Sequence, residues 1–152
     1  CGALDPGVIL HLIAEKGMSA AEVGALLNKR SGLLGLSGFS ADVRELEASA
    51  APEAEEALAF FAYRAAREIG SLAAALGGLD LLVFTAGIGE HSAAMRARIC
   101  AASSWLGVAL DAEANARHAT RISTEQSPVG VFVVPTNEEL TIARAARRLI
   151  DG

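Results

Sequence analysis

The sequence predicts an α/β fold. Two short apolar runs, LDLLVF at 79–84 and VGVFVV at 129–134, read as strands, and the segments around them carry helical periodicity. Between them a glycine-bearing junction, T-A-G-I-G-E at 85–90, joins strand to helix. Two convincing strands in 152 residues make a thin sheet for a complete domain.

A chain of 152 residues suffices for one ordinary domain, and its 52% hydrophobic content, rich in Ala, allows a sizeable core. The net charge of −5, with no Lys/Arg cluster, argues against a nucleic-acid-binding surface. No apolar run reaches the roughly 18 residues that a membrane span needs, and no signal-peptide pattern is present. Cys1 and Cys100 are no disulfide framework, so reduced thiols in a cytosolic protein are expected. The first residue is not Met, which suggests a processed product or a fragment.

Asp5 is placed to cap a first helix, with Pro6 at its first position and Val8, Ile9, Leu12 and Ile13 as its apolar face. Gly17 closes it, and Ser19-Ala20-Ala21-Glu22 forms a capping box for a second helix whose stripe is Val23, Leu26 and Leu27. His11 reads as packing or surface. The stretch 31–40, SGLLGLSGFS, reads as a packed connector anchored by Leu33, Leu34, Leu36 and Phe39. It delivers Asp42 and Arg44 to the start of the next helix, where spacing alone indicates a solvated pair. The longest helical pattern follows at 51–76, with Leu58, Phe61, Ala65, Ile69, Leu72 and Leu76 as its apolar stripe. Phe60, Phe61 and Tyr63 read as core or subunit contact.

The run at 79–84 suits a strand buried on both faces. Gly87 and Gly89 after it either close a tight turn or let a nucleotide approach the backbone. Ser92 stands where the dinucleotide fingerprint wants its third glycine, and no Gly-Lys-Ser/Thr of a P-loop follows. An Ala-rich helix is expected at 91–102. Trp105 to Leu110 suggests a small strand or buried turn, Asp111 caps a short helix, and His118 reads as surface. The strand at 129–134 is stopped by Pro135, and Thr136 or Asn137 caps a last helix. Glu138 and Glu139 match that helix's dipole, as Arg144, Arg147 and Arg148 do at its far end.

The wording of four blocks goes further than periodicity. FTAGIGEHS at 84–92 closely resembles the F-T-A/G-G-I-G-E-N-S signature of the acetate and propionate kinase family. PTNEELTIAR at 135–144 is similar to that family's C-terminal motif, LLNKRSGLLGLSGFSADVREL at 26–46 to a central one, and CGALDPGV at 1–8 to C-G-D-(I/L)-D-P-G-V. The blocks occur in the family's order and span nearly the whole chain.

The resemblance implies a ribonuclease H-like fold, the one shared by actin, sugar kinases and heat-shock chaperone ATPases, with this chain as part of the C-terminal lobe. Residues 1–140 would belong to that nucleotide-binding lobe, and 141–152 to a final helix that packs on the missing N-terminal lobe. It implies reversible, Mg²⁺-dependent phosphoryl transfer from ATP to acetate, giving acetyl phosphate and ADP, in a cytoplasmic homodimer without nucleic-acid or membrane partners. Asp42, Val43 and Arg44 would contact the nucleotide, Gly87, Ile88, Gly89, Glu90 and His91 would line the adenosine pocket, and Glu138 would help hold magnesium. His91 stands where Asn is usual, which bears on nucleotide preference. No catalytic residue is carried over, because the family's acetate site and in-line phosphoryl-transfer groups lie in the part absent here. The fragment alone is therefore expected to be inactive. Propionate or butyrate kinase is the nearest alternative, and a noncatalytic nucleotide-binding or dimerisation module is a different one.

Overall fold

The structure is a computed structural model that describes residues 1–151, except for the side chains of residues 138, 141, 142 and 151. The chain divides into two compact units, 1–61 and 62–152.

The first unit is helical. Asp5 caps α1 (Pro6–Ala14) by accepting from the Gly7 amide at 2.7 Å, with Pro6 at the first position. The capping box of α2 (Ala20–Lys29) is complete, Ser19 and Glu22 each satisfying the other's amide, and Val23 is the residue that α2 buries. The apolar face expected of α1 is covered only in part: Ile9 and Leu12 are half-buried, while Val8 and Ile13 are exposed. The connector at 31–40 is a short helix instead, α3 (Gly32–Ser37). Serines rather than leucines anchor it: Ser37 Oγ donates to the Ser40 carbonyl at 2.8 Å and accepts from the Ser40 amide, and both residues are buried. Leu36 and Phe39 are exposed. Asp42 then caps α4 (Val43–Glu47), which buries Val43 and Leu46.

The long helix α5 (Pro52–Leu76) begins in the first unit and ends in the second. Its buried stripe is mostly alanine: Ala54, Ala57 and Leu58, then Ala62, Ala66 and Ala73. Leu72 and Leu76, expected in that stripe, are 62% and 75% exposed, and Phe60 and Tyr63 are exposed too. Leu58 is the one large side chain in that stripe.

In the second unit, β1 (Leu81–Phe84) pairs parallel with β2 (Gly130–Val133), Leu81 opposite Gly130 and Phe84 opposite Val133. Isolated bridges from 108, 110, 121 and 123 extend this small sheet. Phe84, Ile122, Val129, Val131 and Val133 are buried with Met95 and Ile99 from α7 (Ala93–Ala102). β1 is not buried on both faces, because Leu81 and Val83 are exposed.

The junction after β1 is helical. Ala86 to His91 form α6 (Ala86–His91), and Ser92 ends it while capping α7 through the Met95 amide at 2.9 Å. The glycines that read as a turn therefore sit inside a short helix, despite the low helix propensity of Gly. A 3₁₀ turn at Ser104–Leu106 carries Trp105, 70% exposed rather than buried. Asp111 caps α8 (Ala112–Ala116) as expected, and α9 (Glu138–Asp151) closes the chain. Cys1 is exposed and Cys100 buried, both free. Among the described residues no helix is long and apolar enough to cross a membrane.

Candidate functional site

At the C-terminal ends of β1 and β2 the chain leaves the sheet twice, into α6 and into α9. That is where an open parallel sheet offers a crevice. A cleft of about 460 Å³ lies there, lined by Ala86, Gly87, Glu90, His91, Thr136, Asn137 and Glu139.

Its two walls are tied together by one carboxylate. Glu90 Oε1 accepts from the Ala86 amide at 2.7 Å, the Thr136 amide at 2.8 Å and the Thr136 hydroxyl at 2.6 Å. These donors favour the ionised form and hold the Glu90 carboxyl below its usual range, the Thr136 hydroxyl contributing most. Thr136 Oγ also accepts from the Ala86 amide at 3.2 Å. Asn137, not Thr136, caps α9: its Oδ1 accepts from the Leu140 amide at 2.9 Å.

The two glycines of the motif serve different ends. A Cβ on Gly89 would lie 3.2 Å from the Phe84 carbonyl carbon, so Gly89 is needed for α6 to pack on β1. A Cβ on Gly87 would meet nothing within 4 Å among the described residues, so no contact there accounts for glycine. It leaves bare backbone facing the cleft.

Of the residues singled out from sequence, Gly87, Glu90 and His91 come together in this cleft. Ile88 and Gly89 sit half-buried on the same helix, outside the lining. Asp42, Val43 and Arg44 belong to the first unit. There Arg44 Nε and Nη2 grip the two Asp42 oxygens at 3.1 and 2.5 Å, on the surface, and Arg44 drives the Asp42 carboxyl down to about 2. The Val43 side chain is buried in that unit. The side chain of Glu138 lies outside the described residues. Glu139, read from sequence as dipole matching, lines the cleft.

Sequence reasoning passed over Thr136 as a clamp, and it passed over Arg96 and Asn115 altogether. Arg96 is fully buried, its Nε donating to Asn115 Oδ1 at 2.7 Å. The signal was there: Arg96 lies between Met95 and Ile99 on the inward face of α7, a place where a charge demands partners.

The sequence profile of the Acetokinase family matches residues 1–144. The chain belongs to the acetokinase family. It is 58% identical over its whole length to an acetate kinase of Rhodopseudomonas palustris strain TIE-1, and covers 39% of that protein. Among solved structures, Porphyromonas gingivalis acetate kinase matches with a TM-score of 0.87 and 38% identity, over 98% of this chain and 39% of that one. A propionate kinase from Francisella tularensis matches with a TM-score of 0.86 and 36% identity, over 94% of this chain and 38% of its own. The chain thus spans about two fifths of the length of these acetokinase relatives. The α/β, ribonuclease H-like fold class implied by the motifs stands, with this acetokinase chain as part of it.

Proposed function

We propose that this chain is the nucleotide-holding part of an acetate kinase. The observation that carries this reading is Gly87, which presents bare backbone to the cleft beside the Glu90–Thr136 clamp with no packing reason among the described residues to be glycine. The family membership and the relatives' names support the kinase class.

In the proposed reaction an acetate oxygen attacks the γ-phosphorus of ATP and the bond from that phosphorus to ADP breaks. Acetyl phosphate and ADP leave, and the reverse reaction regenerates ATP. Such a transfer depends mainly on positioning and charge neutralisation. Gly87, Ile88, Gly89, Glu90 and His91 would hold adenosine, with Asp42, Arg44 and the backbone of Val43, whose side chain is buried, also on the nucleotide. Glu90 acts there as a brace for α6, since its Oε1 already has three donors. Mg²⁺ suits a site where one or two carboxylates meet nucleotide phosphates. Glu138, with Glu139 beside it in the cleft wall, would hold it, and when bound the ion neutralises phosphate charge.

Residues 1–140 are proposed as part of one lobe and 141–152 as a helix that packs on the other, a role suited to the exposed Leu149 and Ile150 of α9. A cytoplasmic homodimer completes the reading. The groups that would stabilise the transferring phosphoryl are not among these residues, so the 152-residue chain alone is expected to turn over no substrate. Propionate as acceptor is the second reading, favoured by the nearly as close fit to a propionate kinase structure.

The test is a coupled assay with ATP, Mg²⁺ and either acetate or propionate, run on the protein as its source expresses it and on the 152-residue chain. Activity of the source protein with acetate, and none of the chain alone, supports the proposal. Preference for propionate moves it to the second reading. Acetyl phosphate formed by the chain alone overturns the division of labour.

A further inference from the structure

Arg96 forms no ion pair among the described residues, although it is 0% exposed. A buried cation without a carboxylate is costly, and burial pulls its pKa down. What offsets that cost is a ring of oxygens. Nη1 donates to the Gly89 and Glu90 carbonyls, each at 2.9 Å, and Nη2 donates to the Asn115 carbonyl at 2.9 Å. Asn115 is fixed in turn, its Nδ2 donating to the Ala93 carbonyl at 2.8 Å.

The Gly89 and Glu90 carbonyls are the end carbonyls of α6, groups that a helix leaves without partners of its own. A guanidinium there satisfies two at once and complements the negative end of the helix. His118 adds to the same point: its Nδ1 lies 3.1 Å from the Glu90 carbonyl and 3.3 Å from Arg96 Nη2. That nitrogen can donate to the carbonyl or accept from the arginine, not both. His118 holds this place at φ +53, a conformation that costs a non-glycine residue energy. The Glu90 carboxylate binds the opening of α6 and Arg96 binds its end.

We propose that Arg96 is a positioning residue, which fixes α6 through Gly89 and Glu90 and thereby sets how tightly the cleft holds a nucleotide. The inference rests on the nucleotide reading of the cleft. Lysine in its place keeps the charge, but its single nitrogen replaces a planar fork that reaches Gly89, Glu90 and Asn115 together.

The experiment compares wild type, Arg96→Lys and His118→Asn, each as the source expresses the protein, by calorimetric titration with ADP and by amide hydrogen exchange over residues 86–91 without ligand. Arg96→Lys weakens ADP binding about tenfold, leaves the number of sites per folded molecule unchanged, and speeds exchange at 86–91. His118→Asn, which tolerates a positive φ, shifts both readouts the same way by less. An arginine that only stabilised the fold would lower the folded fraction and the number of sites, but not the affinity of the molecules that fold. Unchanged affinity and unchanged exchange overturn the proposal. If Arg96→Lys does not fold, His118→Asn decides by the same two readouts. If wild type binds no ADP, the nucleotide reading falls, and exchange at 86–91 then decides alone: faster exchange keeps Arg96 as the residue that positions α6, unchanged exchange removes it.

Discussion

Glu90 reaches across 46 positions of sequence to take both the amide and the hydroxyl of Thr136 on one carboxylate oxygen. The same oxygen takes the Ala86 amide, so the two segments that leave the sheet share a single acceptor. Two of the family-like blocks, FTAGIGEHS and PTNEELTIAR, therefore meet through hydrogen bonds.

That clamp has a pH signature. The Glu90 carboxyl titrates below its ordinary 4.5 in the folded chain, because Thr136 first, and then Ala86 and His91, favour the anion. A depressed folded pKa means the contribution to stability is present above the unfolded value and is lost as pH falls through the folded one. Glu90→Gln keeps an acceptor but removes the charge. Urea midpoints of wild type and Glu90→Gln should differ most near neutral pH. The gap should stay open below 4.5 and close only under the depressed pKa. A gap that does not change with pH would contradict the clamp.

Gly87 and Gly89 should separate binding from folding. At Gly89 an added methyl presses on the Phe84 backbone at 3.2 Å, so Gly89→Ala should cost about 1–3 kcal/mol of stability. At Gly87 the space is open, and alanine in a helix is worth about 0.5–1 kcal/mol over glycine, so Gly87→Ala should unfold at the same temperature or higher. Its methyl stands in the cleft, so ADP binding should fall while stability does not. Thermal melts beside an ADP titration check both arms.

These contrasts show what was legible. Asp5, Ser19 with Glu22, and Asp111 were readable as caps because a cap is a local bond between residues two or three apart. The motif cleft was readable through wording rather than periodicity. The buried face of α5 was not, because a periodic stripe marks positions that repeat without saying which neighbour covers them. Alanines, weak signals one by one, took the core, while Leu72 and Leu76 stayed exposed. α6 was not readable as a helix because its two glycines argue against one, and Thr136 and Arg96 hold it from outside its own sequence. Arg96 showed in the sequence only as a charge on an apolar helix face; its side-chain partners were hidden, since Asn115 and His118 lie 19 and 22 positions away.

Asp42 and Arg44 form an exposed chelated pair, and such pairs add little to stability. Arg44→Ala should therefore leave the melting temperature nearly unchanged. Its clear effect should be on titration: without the guanidinium, the Asp42 carboxyl should move from about 2 back toward 3.8. Carboxyl-carbon NMR resolves that move. If Arg44 also contacts nucleotide, the same variant should weaken ADP binding. A restored carboxyl pKa with unchanged binding would leave the pair as a helix-capping ornament of α4 alone.

Ala86 opens α6 at φ +59, a left-handed conformation that costs a residue with a Cβ roughly 1–2 kcal/mol. The amide bonds to Glu90 and Thr136 hold it there, at 2.7 and 3.2 Å. Glycine adopts that conformation without the steric cost but loses more chain entropy on folding, so the two effects oppose each other. Relief of strain is the larger of the two, and Ala86→Gly should stabilise the chain by up to about 1 kcal/mol. The strain lies beside the cleft, so the second readout is hydrogen exchange at 86–91. If the clamp rather than the methyl sets the conformation, exchange should slow in step with the gain in stability. A variant that melts lower, with faster exchange at 86–91, would show that the alanine methyl itself keeps α6 in place.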